Sequence, residues 1–241
     1  MTELPFTHII PGMDSSELVL VEGGTLIMGG YEYPEEYPIH EVTVPSFVIG
    51  KFPVTQELWM AMMGENPSYF IDPKRPVEQV SWKDTRALFQ KVNHDPRLSR
   101  GQFFRLPTEA EWEFAARGGK KSDGFYYVGG DKLDEVGWYK DNSYDETKQV
   151  GLKLANELGL HDLSGNVMEW CVDQWHADYW GAPTDGSAWV DKDESASRVL
   201  RGGSWDYSPQ YCRPSYRSYV HPSTRYNLVG FRVVLGSPPG S

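Results

Sequence analysis

The C-terminal stretch Arg201–Val234 restricts the fold more than any other part of this sequence, because it alternates two kinds of residue. One kind sets the course of the backbone, and its members are Gly202, Gly203, Arg213, Pro214, Arg217, Pro222, Arg225, Gly230 and Arg232. Between them stand Tyr, Ser, Asp and His. Tyrosine offers a large amphipathic contact area at a low cost in conformational entropy, and serine adapts to it. The stretch therefore predicts a rigid support that presents a contact surface.

Aromatic residues and turn formers characterise the rest of the chain. Its 241 residues suffice for one large domain or two small ones, with a sizeable core. Aromatic residues make up 14% of the chain, and 24 Gly with 17 Pro indicate many turns. No internal repeat or low-complexity linker interrupts the sequence. We therefore expect residues 1–241 to form one loop-rich α+β domain held together by packed rings.

Charge and hydropathy exclude some classes of protein. The formal net charge is -11, which argues against a nucleic-acid binder, because such proteins usually carry a basic surface. No run of apolar residues reaches membrane-spanning length, so we expect no transmembrane segment. The first residues, MTELPFTHII, lack the charged region and apolar core of a secretory leader. We expect a cytoplasmic protein unless a leader has been removed from it.

The two cysteines, Cys171 and Cys212, lie far apart in sequence, so the chain is not a disulfide scaffold. Whether they pair depends on a Cα separation that the sequence does not give, and both states stay open. The six histidines are scattered, and an isolated His is more often structural than a metal ligand.

The residue pattern predicts three helices and four early strands. The predicted N-caps are Thr55, Ser81 and Thr108, and the first and third helices end near Met63 and Gly118. The third is the best marked, since Thr108 and Glu111 form a capping box. The second is expected to bury part of Trp82, Ala87, Leu88 and Val92. The predicted strands, paired first with second and third with fourth, are Leu18–Val21, Thr25–Met28, His40–Val44 and Ser46–Lys51.

Six motifs resemble one protein family. In order they are GGTLIMGG, PVTQELW, PVEQVSW, FRLPTEAEWEFAARGG, GLHDLSGNVMEW and RVLRGGSW with NLVGFRVV. Together they span about residues 20–235, and across that range the chain resembles the formylglycine-generating-enzyme (sulfatase-modifying factor) family. The resemblance implies a variant of the C-type lectin fold. Each motif alone would be a weak signal, whereas all of them in the family's order are a strong one.

The resemblance also implies where a catalytic centre would lie. Enzymes of this family oxidise a sulfatase cysteine to formylglycine with oxygen, using copper held by two cysteines spaced C-x4-C, and thiolates suit Cu(I). Here those positions hold Tyr207 and Cys212. Because a phenol replaces one ligand, we expect no copper and no catalytic residue. The alternative is a copper-dependent formylglycine-generating oxidase, or a related oxygenase, that uses Cys212.

A non-catalytic use of the same fold supplies a second resemblance. The chain is similar to variable proteins of diversity-generating retroelements, which end in a GFR-type motif and whose scattered Asn codons are rewritten by adenine-directed mutagenesis. The products of that mutagenesis include Tyr, Ser, Asp, His, Val and Thr. Ten such residues are expected to form a ligand-binding face, and we name them the candidate positions: Asp206, Tyr207, Ser208, Tyr211, Ser218, Tyr219, Val220, His221, Thr224 and Tyr226. The frame residues expected to stay fixed are Pro209, Arg213, Pro214, Arg217, Pro222 and Arg225.

The resemblance implies a receptor-type protein that binds an unknown protein or cell-surface ligand and no nucleic acid. Its variable region would cover about residues 201–234. Similar variable proteins suggest display at the cell surface through a leader. A fixed recognition module with an invariant loop shares the fold and stays open as an alternative.

The segment HDLSGNVMEW resembles the calcium loop of the family. The resemblance implies that Ca2+ would be bound by the carboxylates of Asp162 and Glu169 and the carbonyls of Gly165 and Val167. All-oxygen coordination suits this ion. The alternative is a tight turn in which the two acids accept backbone hydrogen bonds without a metal.

Overall fold

Short strands and helices separated by long loops make up the described part of the chain. The computed structural model describes residue 14 and residues 17–94 and 103–236. Within these ranges the helices are α1 Gln56–Met63, α2 Trp82–Asn93, α3 Glu109–Ala116 and α4 Leu133–Val136. The strands are β1 Leu18–Val21, β2 Gly24–Met28, β3 His40–Val44, β4 Phe47–Gly50, β5 Phe103–Arg105, β6 Met168–Gln174, β7 Arg198–Arg201, β8 Arg217–Val220, β9 Val229–Gly230 and β10 Val234–Gly236. None of these helices has the length and apolar character needed to cross a membrane.

Three sheets organise these strands. The first has the order β1-β4-β10-β5 with antiparallel neighbours, so strands from both ends of the described chain share it. The second is the antiparallel pair β2-β3. The third has the order β8-β7-β6-β9, in which β6 and β9 are parallel. Strand β8, which carries three candidate positions, lies at the edge of this third sheet and pairs with β7.

The predicted strand positions are confirmed, but their predicted pairing is wrong. Strand β1 pairs with β4, and β2 pairs with β3. The link between β1 and β2 crosses the link between β3 and β4 in close contact. A Cβ on Gly23 would lie 2.6 Å from the amide nitrogen of Ser46. The Gly23 amide also donates to Ser46 Oγ at 2.9 Å. Both chain segments therefore pass side by side from one sheet to the next, a long-range contact that local turn signals do not report.

The predicted helices form with the predicted caps. Thr108 accepts a hydrogen bond from the amide of Glu111, whose side chain accepts one from Thr108 in return. Gly118 follows α3 in the left-handed region, with φ 86°, where glycine is favoured. In α2, Ala87 is exposed, so its predicted burial is wrong. The helical repeat places it almost opposite the buried Thr85.

Large rings fill the core. One buried cluster joins α1 and α2 to the first and third sheets through Trp59, Trp82, Trp170 and Phe231. A second cluster surrounds Trp112 of α3. The indole nitrogens of Trp82 and Trp170 donate to the carbonyls of Cys171 and Val80 at 3.0 and 2.9 Å. These two buried indoles thus also satisfy backbone carbonyls, which fixes their orientation.

Candidate binding face

The C-terminal stretch separates its two kinds of residue by burial. All ten candidate positions are exposed or half-buried. Four of the six frame residues, in contrast, are buried: Arg213, Pro214, Arg217 and Pro222. The candidate positions come from a turn at residues 206–211, from the edge strand β8 and from a loop at residues 221–226. Exchange at the exposed positions changes little packing, whereas the half-buried Tyr207 and Val220 also pack against the core.

Arg217 is fixed from beneath β8 by a carboxylate and two rings. Its Nε and Nη2 donate to the two carboxylate oxygens of Glu109, at 2.6 and 2.9 Å. It also lies 4.0 Å from the ring centre of Tyr179 and 4.7 Å from that of Trp175. Two parallel hydrogen bonds and two ring contacts hold an arginine in one orientation, which lysine could not reproduce.

Arg201, at the end of β7, occupies the centre of the same network. It is fully buried and binds Glu109 and Glu113 of α3, each at 2.7 Å. It also donates to the carbonyl of Pro214, which connects α3 to the frame. Burial alone would raise the pKa of Glu109, but Arg217 and Arg201 lower it below its ordinary value. Glu109 is therefore ionised at neutral pH between two arginines.

Arg213 extends this network to the N-terminal part of the chain. Its Nη2 lies 2.7 Å from the buried carboxylate of Glu36, and its Nε lies 3.2 Å from Glu32. Its Nε also donates to the carbonyl of Gln210 at 2.9 Å, which fixes the turn that carries Tyr211. We name Arg201, Arg213 and Arg217, with Glu36, Glu109 and Glu113, the arginine network. Breaking one member of a buried ion pair leaves an uncompensated charge, so this network is costly to disrupt.

Arg225 differs from the other frame arginines. It is exposed and pairs with Asp84 at 2.7 Å, at the N-terminal turn of α2. An exposed pair of this kind contributes little to stability. Its role is to hold the loop at residues 221–226 beside α2, where the amide of Lys83 also donates to the carbonyl of Pro222.

Four tyrosines form a contiguous group at one end of the face. The ring centres of Tyr211 and Tyr216 are 4.9 Å apart, and those of Tyr207 and Tyr211 are 5.7 Å apart. Tyr33 joins them at 6.0 Å from Tyr211 and 5.8 Å from Tyr216. We name these four the tyrosine cluster. Sequence reasoning missed Tyr33 as part of the face, although the segment YEYPEEYP around it repeats the tyrosine-rich character of the C-terminal stretch.

The other candidate positions do not join the tyrosine cluster. Successive side chains of a strand point to opposite sides, which separates Tyr219 from Ser218. Tyr219 stacks on Trp175 with ring centres 4.4 Å apart. Val220 contacts the first core cluster, and His221 and Tyr226 are exposed in the loop beside α2. The structure therefore brings together Tyr207 and Tyr211 with the nearby Ser218, and places the remaining strand and loop positions apart from them.

Cys212 and Tyr207 occupy the positions where the family resemblance implied a copper pair. The Cys212 thiol is fully buried, and burial raises its pKa to about 12. The backbone of Gly203, at φ 70°, closes over it: a Cβ there would lie 2.8 Å from the sulfur. Cys171 is also buried and packs in a different core cluster, and both thiols are free. Across residues 17–94 and 103–236, no three His, Cys, Asp or Glu side chains gather in a way that could hold a metal ion.

Both carboxylates of the predicted calcium loop have hydrogen-bond partners within the protein. Both carboxylate oxygens of Glu169 accept hydrogen bonds from Arg232, at 2.6 and 2.7 Å. The indole of Trp112 donates to the same carboxylate at 2.7 Å. Asp162 accepts from the amide of Gly151 at 2.7 Å. The guanidinium of Arg232 thus neutralises the Glu169 carboxylate, and a calcium ion would have to share the carboxylate oxygens with Arg232. The calcium site stays a prediction, and a rise in melting temperature on calcium addition is its test.

The mixed short sheets, the ring-filled core and the loop-rich C-terminal face define a C-type lectin-like fold of the formylglycine-generating-enzyme subtype. The chain belongs to the sulfatase-modifying factor family, since the profile of the Sulfatase-modifying factor enzyme 1-like domain matches residues 11–236. The family membership predicted from the six motifs is confirmed.

Individual relatives differ in function. Among solved structures, Treponema denticola variable protein 1 superposes with a TM-score of 0.79 at 33% identity, covering 92% of this chain and 95% of that one. Chaperone protein LppX of Paenibacillus barcinonensis is 36% identical, covering 91% of this chain and 89% of its own length. The formylglycine-generating enzyme of Mycobacterium tuberculosis is 27% identical, covering 93% and 99%. The chain spans only 38% of the length of Serine/threonine-protein kinase Pkn1 of Chlamydia trachomatis, which it also matches.

Proposed function

We propose that this chain is a non-catalytic, receptor-type protein that binds ligands through its C-terminal face and whose candidate positions are diversified by a retroelement. One observation carries the proposal: every candidate position is accessible to solvent, while buried arginines fix the backbone beneath them. The likeness to Treponema denticola variable protein 1 supports it.

The physical basis is a division of tasks between neighbouring residues. The arginine network fixes the turn at residues 206–211 and strand β8 without using candidate side chains. Candidate side chains on the surface then provide contact area, and tyrosine does so with two side-chain torsions to immobilise. Such a face accepts many sequences at nearly constant stability, as a diversified receptor requires.

Comparison of closely related isolates tests the proposal. We expect differences to concentrate at the candidate positions, with a near-identical template repeat and a reverse transcriptase gene nearby. An even spread of differences along the gene, without a template repeat, would contradict the proposal.

A copper-dependent oxidase or related oxygenase is the second candidate function. Family membership and the retained Cys212 favour it. The phenol of Tyr207 at the other position counts against it, because copper would keep one thiolate ligand where the family uses two. Copper titration with oxygen consumption on a cysteine-containing sulfatase peptide decides between the two. Turnover that is lost in Cys212→Ser would establish the oxidase.

We further propose that the protein acts at the cell surface on a protein or surface-bound ligand. A folded face that varies between isolates is useful where partners vary, and the net charge of -11 disfavours nucleic acid as the partner. Protease accessibility of the protein on intact cells of its source tests this location. Protection from protease until the cells are lysed would contradict it.

A further inference from the structure

The tyrosine cluster combines residues from two distant parts of the chain. Tyr207 and Tyr211 are candidate positions, whereas Tyr33 and Tyr216 lie outside that set. All four rings are half-buried, so each presents part of its surface to solvent. Ring contacts with centres 4.9 to 6.0 Å apart hold the four side by side. The cluster is therefore a built surface of fixed and exchangeable rings.

The surroundings of the cluster are acidic. The Glu32 side chain is 40% exposed and its Oε1 accepts a hydrogen bond from Tyr126 at 2.7 Å. Asp206 is exposed next to Tyr207. Two cations are close, and neither reverses this balance. Arg213 is buried and paired with Glu36 and Glu32. Lys140 is exposed, and its amide donates to the Tyr207 carbonyl. The next residue, Asp141, is also exposed and balances the charge of Lys140.

Tyrosine ring faces and carboxylates attract the same kind of group. A ring face carries partial negative charge, so a guanidinium or ammonium that lies over it is stabilised. The structure already contains one such contact, since the Arg213 guanidinium lies 5.5 Å from the ring centre of Tyr33. Burial and the neighbouring phenols raise the pKa of Tyr33, Tyr207 and Tyr216, so these rings stay neutral phenols at physiological pH.

We propose that the tyrosine cluster, with Glu32 and Asp206 at its edge, binds an arginine or lysine side chain in an exposed segment of a partner protein. The inference rests on the proposed receptor function and adds the class of partner to it. Tyr33 and Glu32 lie outside the candidate positions, so they provide a preference for cations that every diversified version shares. Exchange at Tyr207 and Tyr211 then selects among cationic partners.

Peptide selection tests this inference. The probe is a library of random peptides of about a dozen residues, selected on the immobilised full chain. We expect Arg and Lys to be enriched over Asp and Glu among the bound peptides. The affinity of a selected peptide should fall about tenfold in Tyr33→Ala and by less than about twofold in Tyr33→Phe, which keeps the ring.

The matched control is Tyr144→Ala, because Tyr144 is 85% exposed and contacts Lys148 rather than the cluster. It should leave affinity unchanged. If Tyr33→Ala lowers the melting temperature so far that it cannot be compared, Glu32→Gln should still weaken binding about threefold at low salt. The inference would be overturned if Arg and Lys are not enriched in the selected peptides. It would also be overturned if folded Tyr33→Ala and Glu32→Gln both keep full affinity.

Failure of this inference is distinguishable from failure of the proposed function. If exchange at the ten candidate positions changes which peptides are selected, but no version prefers cations, the receptor function stands and the cation site is wrong. If exchange at those positions leaves the selected peptides unchanged, the proposed function itself is contradicted.

Discussion

The arginine network and the candidate positions occupy the same stretch of chain but opposite environments. Arg201, Arg213 and Arg217 are buried and bind carboxylates at 2.6 to 2.7 Å. Candidate positions only one or two residues away, such as Ser218 and Tyr219, reach solvent. The difference shows that the buried support and the accessible surface are provided by neighbouring residues of one segment. Its consequence is that substitution costs should alternate just as sharply.

Loss of Arg201 is expected to have the largest effect. Arg201→Ala takes one of two arginines from each of the buried carboxylates of Glu113 and Glu109, which keep only Arg117 and Arg217, and it should lower the free energy of unfolding by about 3–5 kcal/mol. The exposed Arg225→Ala, the matched control, should cost less than about 1 kcal/mol. Urea denaturation measures both. Similar losses in the two variants would contradict the separation of buried and exposed arginines.

Gly203 tests the closure of the backbone over Cys212. A Cβ at Gly203 would lie 2.6 Å from the Tyr211 carbonyl oxygen, at φ 70°, so Gly203→Ala should cost roughly 2–4 kcal/mol. Gly181→Ala is the control, because Gly181 has a similar positive φ of 85° and open space around it. It should cost about 1 kcal/mol, from the left-handed backbone alone. Equal melting temperatures in the two variants would show that the contact with Tyr211 is unimportant.

Asp173 is a buried acid without a paired arginine, so its contribution to the free energy of unfolding should change with pH in the opposite direction to that of Glu109. Burial and the nearby Glu109 raise the pKa of Asp173 to about 7, from an ordinary value of 3.8. Between these values the folded protein keeps a proton that the unfolded chain has released. The contribution of Asp173 to the free energy of unfolding therefore falls as pH rises from about 4 to about 7.

Asp173→Asn cannot titrate, so relative to wild type it should gain up to about 4 kcal/mol across that window. Denaturation at a series of pH values measures this difference. The exposed Asp123→Asn is the control and should run parallel to wild type. A parallel profile for Asp173→Asn as well would show that Asp173 is ionised throughout.

Exchange at exposed candidate positions should have the smallest effect. His221→Asn and Tyr226→Ser remove no buried contact, so each should change the free energy of unfolding by less than about 0.5 kcal/mol. Val220→Asp should cost more, because Val220 contacts the first core cluster. Melting curves of the three variants check this order. A large loss in His221→Asn would show that the exposed loop contributes to the fold.

Local signals made much of this molecule predictable from its sequence. The cap of α3 depends on Thr108 and Glu111, three residues apart, and the helix forms as expected. The accessibility of the candidate positions also agrees with the residue types found there. Sequence order fixes neither the crossing at Gly23 nor the pairing of β1 with β4, because both depend on chain segments that meet only in three dimensions.

The partners of the frame arginines could not be predicted for the same reason. Arg217 and Glu109 are 108 residues apart, and Arg213 and Glu36 are 177 apart. Arginine commonly stacks on aromatic rings, and Arg217 does lie against Trp175 and Tyr179. The sequence carries no signal for the buried carboxylates, nor for Tyr33 as a neighbour of Tyr211.

Every carboxylate that binds a frame arginine precedes the C-terminal stretch in the chain. During synthesis Glu36, Asp84 and Glu109 are made before the arginines that pair with them, which are Arg213, Arg225 and Arg217 respectively. Strand β4 is likewise made before β10, with which it pairs. The C-terminal stretch is therefore synthesised after its acidic partners and completes the arginine network when it arrives. A substitution in this stretch that prevents pairing would leave the buried carboxylates accessible to solvent, and with them a partly folded chain that chaperones and proteases can bind.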